Sequence, residues 1–358
     1  MRALTGSLDG TARLWHVPTG MCVQTLIGHT GSVSCVAMTA DGKYAVTGSW
    51  DHDARVWDLR TGVCLHTLSG HKDVITCLAI TPDNQCVVTG SRSNIVRVWD
   101  LATGACVRRF DRVGGWVNCL AITADSRFVI AANDMHVWLL NMATGELRAQ
   151  LFDYLDYIRC VAVTPNRRFV VAGSVDHLIR VHDCATGVMR KLPGHTNRVI
   201  SVAVTSDNTR AVTGSDDCTA RIWDLATGAC EHVLKGHTDC VVCVTLTPDN
   251  AFAITGSADT TVRIWDMHSG ACVQTLNGHT DSVKCAAVTP DGKFLITGAA
   301  DNSVRIWDLV WCQSTLEQLL LVMKRPQTAQ AFAHQGGWWR DIGKAWALAL
   351  LVVATQSR

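Results

Sequence analysis

Tryptophan recurs in this chain with a nearly constant step. Trp15, Trp57, Trp99, Trp138, Trp223, Trp265 and Trp307, with His182 filling the one gap, stand about 42 residues apart. Asp follows most of these positions, as in Trp57-Asp58 and Trp307-Asp308. Gly-His recurs upstream, at Gly28-His29, Gly70-His71, Gly194-His195, Gly236-His237 and Gly278-His279. The repeat accounts for an odd composition of 13 Trp against 3 Tyr and 7 Phe. A period of this length means one supersecondary unit that cannot bury its own faces and must stack against copies of itself. It replaces the two-domain organisation that 358 residues would otherwise suggest.

One unit, from Gly278, reads as short alternating runs. Val283, Cys285 and Ala287 alternate along the first, Phe294 and Ile296 along the second, Val304 and Ile306 along the third. Residues 271–276 make the corresponding fourth run. Pro290-Asp291-Gly292 and Ala299-Ala300-Asp301-Asn302 are turn signals between runs. Four short strands with period-2 patterning and no helical period describe a four-stranded antiparallel sheet, repeated.

These residues resemble the WD40 repeat, whose signature is Gly-His near the start and Trp-Asp near the end. The resemblance covers about residues 1–309 and implies an all-β propeller of four-stranded antiparallel blades around a central channel. It also implies that each Trp N–H enters a hydrogen-bonded tetrad with Thr, His and Asp. By motif, the tetrads are His29, Thr47, Asp51, Trp57; His195, Thr213, Asp217, Trp223; His237, Thr255, Asp259, Trp265; and His279, Thr297, Asp301, Trp307. The second unit has His71, Thr89 and Trp99, but Ser93 replaces the Asp. In the third, Arg112-Val113 replace Gly-His; in the fourth, Asp153-Tyr154 replace it and His182 replaces Trp, so neither can form a tetrad.

Seven complete units run from Met21 to about Leu309. Seven blades are therefore expected over residues 17–309, with Met21–Leu26 pairing beside the strand that holds Arg305. Residues 1–16 match only a second and a third strand and are then a surplus partial repeat, as in a fragment of a longer repeat protein. The rival is eight blades, with Met21–Leu26 pairing beside Arg13. Residues 310–358 form a non-repeat tail, with a short amphipathic helix expected over 314–324 and an apolar run over 345–354 too short to span a bilayer.

A Ser/Thr, His and Asp set could suggest a catalytic triad. Its fourfold repetition, with the hydroxyl facing a Trp, argues for scaffold instead. Cys35, Cys77, Cys119, Cys160, Cys243 and Cys285 share one slot, and Cys22, Cys64, Cys106, Cys230 and Cys272 another. Cysteine here reads as a small buried hydrophobe, and equivalent slots one blade apart are poorly placed for disulfides. Cys240 and Cys243 form a CxxC, but on a strand they point to opposite faces. No phosphate-binding, zinc-protease or nucleophile-elbow motif occurs, so no enzyme activity, metal or cofactor is expected. Net charge of +1 counts against general nucleic-acid binding.

Function then belongs to departures from symmetry. The resemblance places two loop sets on one propeller face, giving Trp50, Lys72, Arg92, Trp116, Asn133, Tyr157, Arg198 and Asp216 as candidate protein-binding residues. The last two units offer only small side chains there, among them Thr238, Ala258, Thr280 and Ala300. Trp, Tyr and Arg dominate interface hot spots. The expected function is a cytoplasmic, monomeric, non-enzymatic scaffold for protein or peptide ligands, with nuclear residence also open. Trp57-Asp58-Leu59-Arg60 matches the WDxR pattern of substrate receptors for cullin-4-type ubiquitin ligases, which is one alternative. The other is the C-terminal sensor array of a signalling NTPase with a NACHT or NB-ARC module.

Overall fold

The computed structural model describes residues 1–111, 113–153, 156–309 and 352–354. Each repeat folds as an antiparallel sheet in chain order. Blade 1 is Val33–Met38, Tyr44–Ser49, Ala54–Asp58 and Cys64–Leu68. Blades 2 to 6 follow the same plan, with first strands Ile75–Ile80, Cys119–Ile122, Ile158–Val163, Val199–Val204 and Val241–Leu246. Blade 7 holds Val283–Val288, Phe294–Ala299 and Val304–Asp308 among the described residues.

The ring has eight blades, which corrects the expectation of seven. Met21–Leu26 pairs with Ala12–His16, Cys22 opposite Trp15 and Thr25 opposite Arg13. Ala12–His16 pairs in turn with Arg2–Gly6. The missing first strand of this blade, blade 8, comes from Val352–Ala354, antiparallel to Arg2–Leu4. Residues 1–16 are thus part of a blade and are not surplus to the ring. The physical reason is pairing: a sheet with two strands already in place offers Met21–Leu26 a partner that is covalently adjacent through the four residues Val17–Gly20, so the long-range clasp to Arg305 does not form. First strands touch first strands in cyclic order, blade 7 meeting Val352–Ala354 and Val352–Ala354 meeting blade 1. The ring is closed, so each blade packs a neighbour on either face and only short strand edges remain. Residues 314–324 lie outside the described residues.

The turns show why each motif residue is there. The Asp after Trp accepts the amides that follow it: Asp58 Oδ1 takes Arg60 N–H at 2.7 Å, and Asp224 Oδ1 takes Thr227 N–H at 2.6 Å. Between first and second strands, Thr39 Oγ1 donates to Asp41 at 2.6 Å and accepts Tyr44 N–H at 3.0 Å, a device repeated in blades 2 to 7. Between second and third strands one residue adopts positive φ in most blades, among them His52, Asn94, Cys218, Thr260 and Asn302.

Cores lie between blades. Val46, Val56 and Leu68 of blade 1 pack with Ile75, Val87 and Trp99 of blade 2. The repeated cysteine fits a repeated glycine: a Cβ on Gly48, Gly90, Gly173, Gly256 or Gly298 would meet the sulfur of Cys35, Cys77, Cys160, Cys243 or Cys285 at under 3.0 Å. Burial pushes the Cys77 and Cys160 thiols up to about 12, so they stay protonated hydrophobes.

Candidate functional site

The four intact tetrads form as the motif implies. In blade 1, His29 Nδ1 lies 2.7 Å from Asp51 Oδ2, His29 Nε2 lies 2.7 Å from Thr47 Oγ1, and Trp57 Nε1–H donates to the same oxygen at 2.9 Å. The matching sets centred on His195, His237 and His279 have bonds of 2.7 to 2.9 Å. A carboxylate only accepts, so Nδ1 carries the proton and Nε2 accepts the Thr hydroxyl. Burial pulls the His29, His237 and His279 pKa values down, against the opposing pull of Asp51, Asp259 and Asp301, so the rings are neutral. These residues are internal structure and leave no nucleophile at a cleft.

The departures from the repeat follow three different routes. In blade 2, His71 keeps Thr89 at 2.7 Å and Thr89 keeps Trp99 at 2.8 Å, but His71 Nδ1 is buried without a partner. In blade 3, Trp138 Nε1–H donates to Val113 O at 2.8 Å, and the Asn133 amide donates to the Val113 and Gly114 carbonyls. In blade 4, Arg180 stands in the slot where Arg55, Arg221 and Arg263 are half-buried elsewhere. Here it is fully buried, with Nη2 2.8 Å from Asp176 Oδ2. Sequence reasoning missed this buried ion pair; the smaller His182 in the Trp slot was its only signal.

The two loop sets meet on one rim, as their backbone bonds show. Trp50 N–H donates to Ser32 O, Arg92 to Val74, Val175 to Tyr157, Asp216 to Arg198, Ala258 to Cys240 and Ala300 to Ser282, all at 2.8 to 3.0 Å. Successive blades touch along the same rim: Ser32 Oγ–H donates to Leu8 O at 3.1 Å, and the Arg92 guanidinium lies 4.9 Å from the centre of the Trp116 ring. Trp116 and Tyr157 are exposed, as is Lys72; Trp50, Arg92 and Arg198 are half-buried. Trp50 packs over Gly31, where a Cβ would meet Trp50 Cβ at 3.3 Å and Asp51 N at 2.8 Å.

Two of the expected surface residues lie inside. Asn133 is buried because it directly follows the second strand, in the slot that Ser49 fills in blade 1; the turn it opens is one residue shorter, Asn133 N–H bonding His136 O where Ser49 N–H bonds Asp53 O. Its Oδ1 accepts His136 N–H at 2.7 Å, closing the short turn. Asp216 is buried against Arg198, whose Nε lies 2.6 Å from Asp216 Oδ2. Arg159 sits nearby on the first strand of blade 4; burial, then the charge of Arg198, pulls its pKa down. The structure adds two residues that sequence reasoning left out, Leu8 and Met135, both exposed. Leu8 could have been found by counting from Asp9, which matches Asp51, once residues 1–16 are read as a blade.

Antiparallel sheets stacked radially, closed edge to edge and pinned by repeated Trp–Thr–His–Asp networks define a β-propeller whose rim carries its variable residues. The chain belongs to the WD40-repeat propeller family. It matches the family described as IFT122 first beta-propeller over residues 2–224, and WD domain, G-beta repeat, over 228–266 and 270–308. It is similar to human WD repeat-containing protein 86, 52% identical over 42 residues, 12% of this chain and 11% of that one. It is also similar to Uncharacterized WD repeat-containing protein C126.01c of Schizosaccharomyces pombe, 56% identical over 34 residues, 10% and 9% of the two chains. These matches span about a tenth of the relatives' own length. Among solved structures, the computationally designed Ika8 protein superposes with a TM-score of 0.78 at 27% identity, covering 86% of this chain and 93% of that one. A WD-repeat propeller is consistent with a protein-interaction scaffold. Among the described residues, no helix is long and apolar enough to cross a membrane, and no three metal-ligating side chains cluster.

Proposed function

We propose that this protein is a non-enzymatic, monomeric cytoplasmic scaffold that captures a protein or peptide ligand on the rim of blades 8, 1, 2, 3 and 4. The observation that supports it is the asymmetry of that rim. Leu8 of blade 8, Trp116 and Met135 of blade 3 and Tyr157 of blade 4 are each more than two-fifths exposed, with half-buried Trp50 of blade 1 and Arg92 of blade 2 between them. Blades 6 and 7 offer Ala258 and Ala300 in the same slots. Large aromatic and guanidinium groups beside one another are the side chains that carry binding energy at interfaces. The double variant Trp50→Ala, Trp116→Ala tests the reading: ligand capture in a pull-down is lost, while the thermal midpoint stays within about 2 °C, as for surface changes below about 0.5 kcal/mol. Retained capture, or loss of folding, refutes it.

A second reading draws support from Arg60, which is exposed on the turn that Asp58 organises. Presented there, it suits contact with the adaptor of a cullin-4-type ligase. Arg60→Ala that leaves adaptor co-purification unchanged removes this reading.

A further inference from the structure

In the four intact tetrads one carboxylate serves three donors. Asp51 accepts from His29 Nδ1 at 2.7 Å, from Thr30 N–H at 3.0 Å and from Asp53 N–H at 3.1 Å. Asp217, Asp259 and Asp301 repeat the arrangement with Thr196, Thr238 and Thr280 and with Thr219, Thr261 and Ser303. These carboxylates sit at the rim, with side chains 6% to 8% exposed.

Blade 2 keeps the donors and lacks the carboxylate. Thr89 holds the His71 ring as Thr47 holds His29, at 2.7 Å in both cases. Asn94 has φ 63° where His52 has φ 74°, so the turn has the same form. Residue 93 is Ser, and its hydroxyl lies 3.0 Å from Ser91 Oγ and makes no bond to His71 Nδ1. His71 is 6% exposed and its Nδ1 has no partner. Thr89 Oγ1 accepts Trp99 Nε1–H and keeps its own proton for His71 Nε2, the arrangement of the intact blades, which places the ring proton on Nδ1. The Lys72 and Ile95 amides, counterparts of Thr30 and Asp53, complete the set of donors. The surrounding charge is cationic. Lys72, next in the chain, is exposed, and Arg97 and Arg109 act on the ring. The nearby acids are engaged: Asp73 accepts Val74 N–H at 2.7 Å, and Asp111 pairs with Arg109.

We propose that blade 2 carries a carboxylate-binding site, formed by His71 Nδ1–H and the Lys72 and Ile95 amides, which takes from outside the chain the acidic group that intact blades supply themselves. One oxygen accepts from His71 and Lys72, the other from Ile95, as Asp51 Oδ2 and Oδ1 do for their donors. A buried, unsatisfied donor gains most from a charged acceptor. The carboxylate has two sources: an acidic side chain of a protein ligand, or a small free carboxylate.

The test is an NMR titration of the ¹⁵N-labelled full chain with sodium acetate at pH 7, against equal sodium chloride. Saturable shifts are expected at the His71 ring nitrogens and at the Lys72 and Ile95 amides. Ser93→Asp supplies an internal carboxylate and weakens acetate binding at least tenfold; Lys72→Ala, an exposed change that leaves the fold intact, weakens it several-fold. In a second arm, random peptides displayed on phage are selected on the native chain and counter-selected on Ser93→Asp. Enrichment of Asp or Glu assigns the carboxylate to a protein ligand; acetate shifts without enrichment assign it to a small molecule. Absence of saturable shifts at His71, or equal shifts in Ser93→Asp, overturns the proposal. The titration uses no protein ligand, so its outcome is separate from that of the Trp50, Trp116 variant.

Discussion

Replacing Ser93 with Asp is expected to stabilise the fold. The substitution gives His71 Nδ1–H the acceptor that His29, His195, His237 and His279 already have at 2.7 to 2.9 Å. Leaving a buried donor unmade costs about 1–3 kcal/mol, and part of the gain offsets desolvation of the new carboxylate. A net gain of about 1–2 kcal/mol follows, raising the thermal midpoint by roughly 1.5–3 °C for a chain of this size. The pH profile is the sharper readout. Burial, with Arg97 and Arg109 adding to it, holds the His71 pKa at about 4, against an ordinary 6.5. Below pH 6.5 the unfolded chain binds a proton that the folded chain refuses, so stability falls from pH 6.5 toward 4. The full loss is on the order of 3 kcal/mol for this one group. An adjacent carboxylate raises the folded pKa and shrinks that loss. Urea unfolding of the native chain, Ser93→Asp and Ser93→Ala between pH 4 and 8 decides it. A lower midpoint in Ser93→Asp, or an unchanged slope below pH 6.5, refutes the reasoning.

Asp259→Asn strips an intact tetrad of its charge and is expected to cost about 1–3 kcal/mol in urea unfolding. Burial would push the Asp259 carboxyl up, but bonds from Thr261, Thr238 and His237 hold it at about 2, below the ordinary 3.8. Its stabilising share is therefore complete above pH 3.8 and lost as pH falls through 2, and Asp259→Asn flattens that acid limb. Asp176→Ala leaves Arg180 buried without its ion-pair partner and is expected to lower stability by about 3–5 kcal/mol, visible as a fall in the urea midpoint. Thr260 is β-branched at φ 71°, a conformation that Asn94 and Asn302 adopt at the same turn position. Thr260→Asn is expected to raise stability by about 0.5–1 kcal/mol, measured as the same midpoint.

The tetrads were legible because each member is chemically obligatory. An indole N–H, a hydroxyl, an imidazole and a carboxylate fit one network, and no other set of side chains repeats at those spacings. The blade count was not legible. Both partners for Met21–Leu26 have the right alternation, and the strand that completes blade 8 is three residues long. Val352–Ala354 is too short to show a period of two, and the residues before it in sequence, 345–351, are an unbroken apolar run. Asn133 was misplaced for a geometric reason: one residue is deleted from the turn, Trp138 pairs with Ala131 as Arg97 pairs with Thr89, and Leu140 takes the Trp slot, so counting back from Trp138 put Asn133 too far into the turn. Arg180 went unnoticed because arginine recurs in that slot, and only burial distinguishes this one.

Ring closure by Val352–Ala354 also sets an order of events. Blades 1 to 6 complete themselves from contiguous chain, through pairings a few residues apart. The register of Arg2–Leu4 against Val352–Ala354 closes a loop of some 350 residues with three residue pairs. Loop closure of that length is entropically the costliest step and the slowest kind of contact to form. The molecule therefore assembles first as an arc and latches last. The latch is also short, and amide exchange at Arg2–Leu4 reports how often Val352–Ala354 lets go while Ala3 and Val17 stay packed against Ile296 of blade 7.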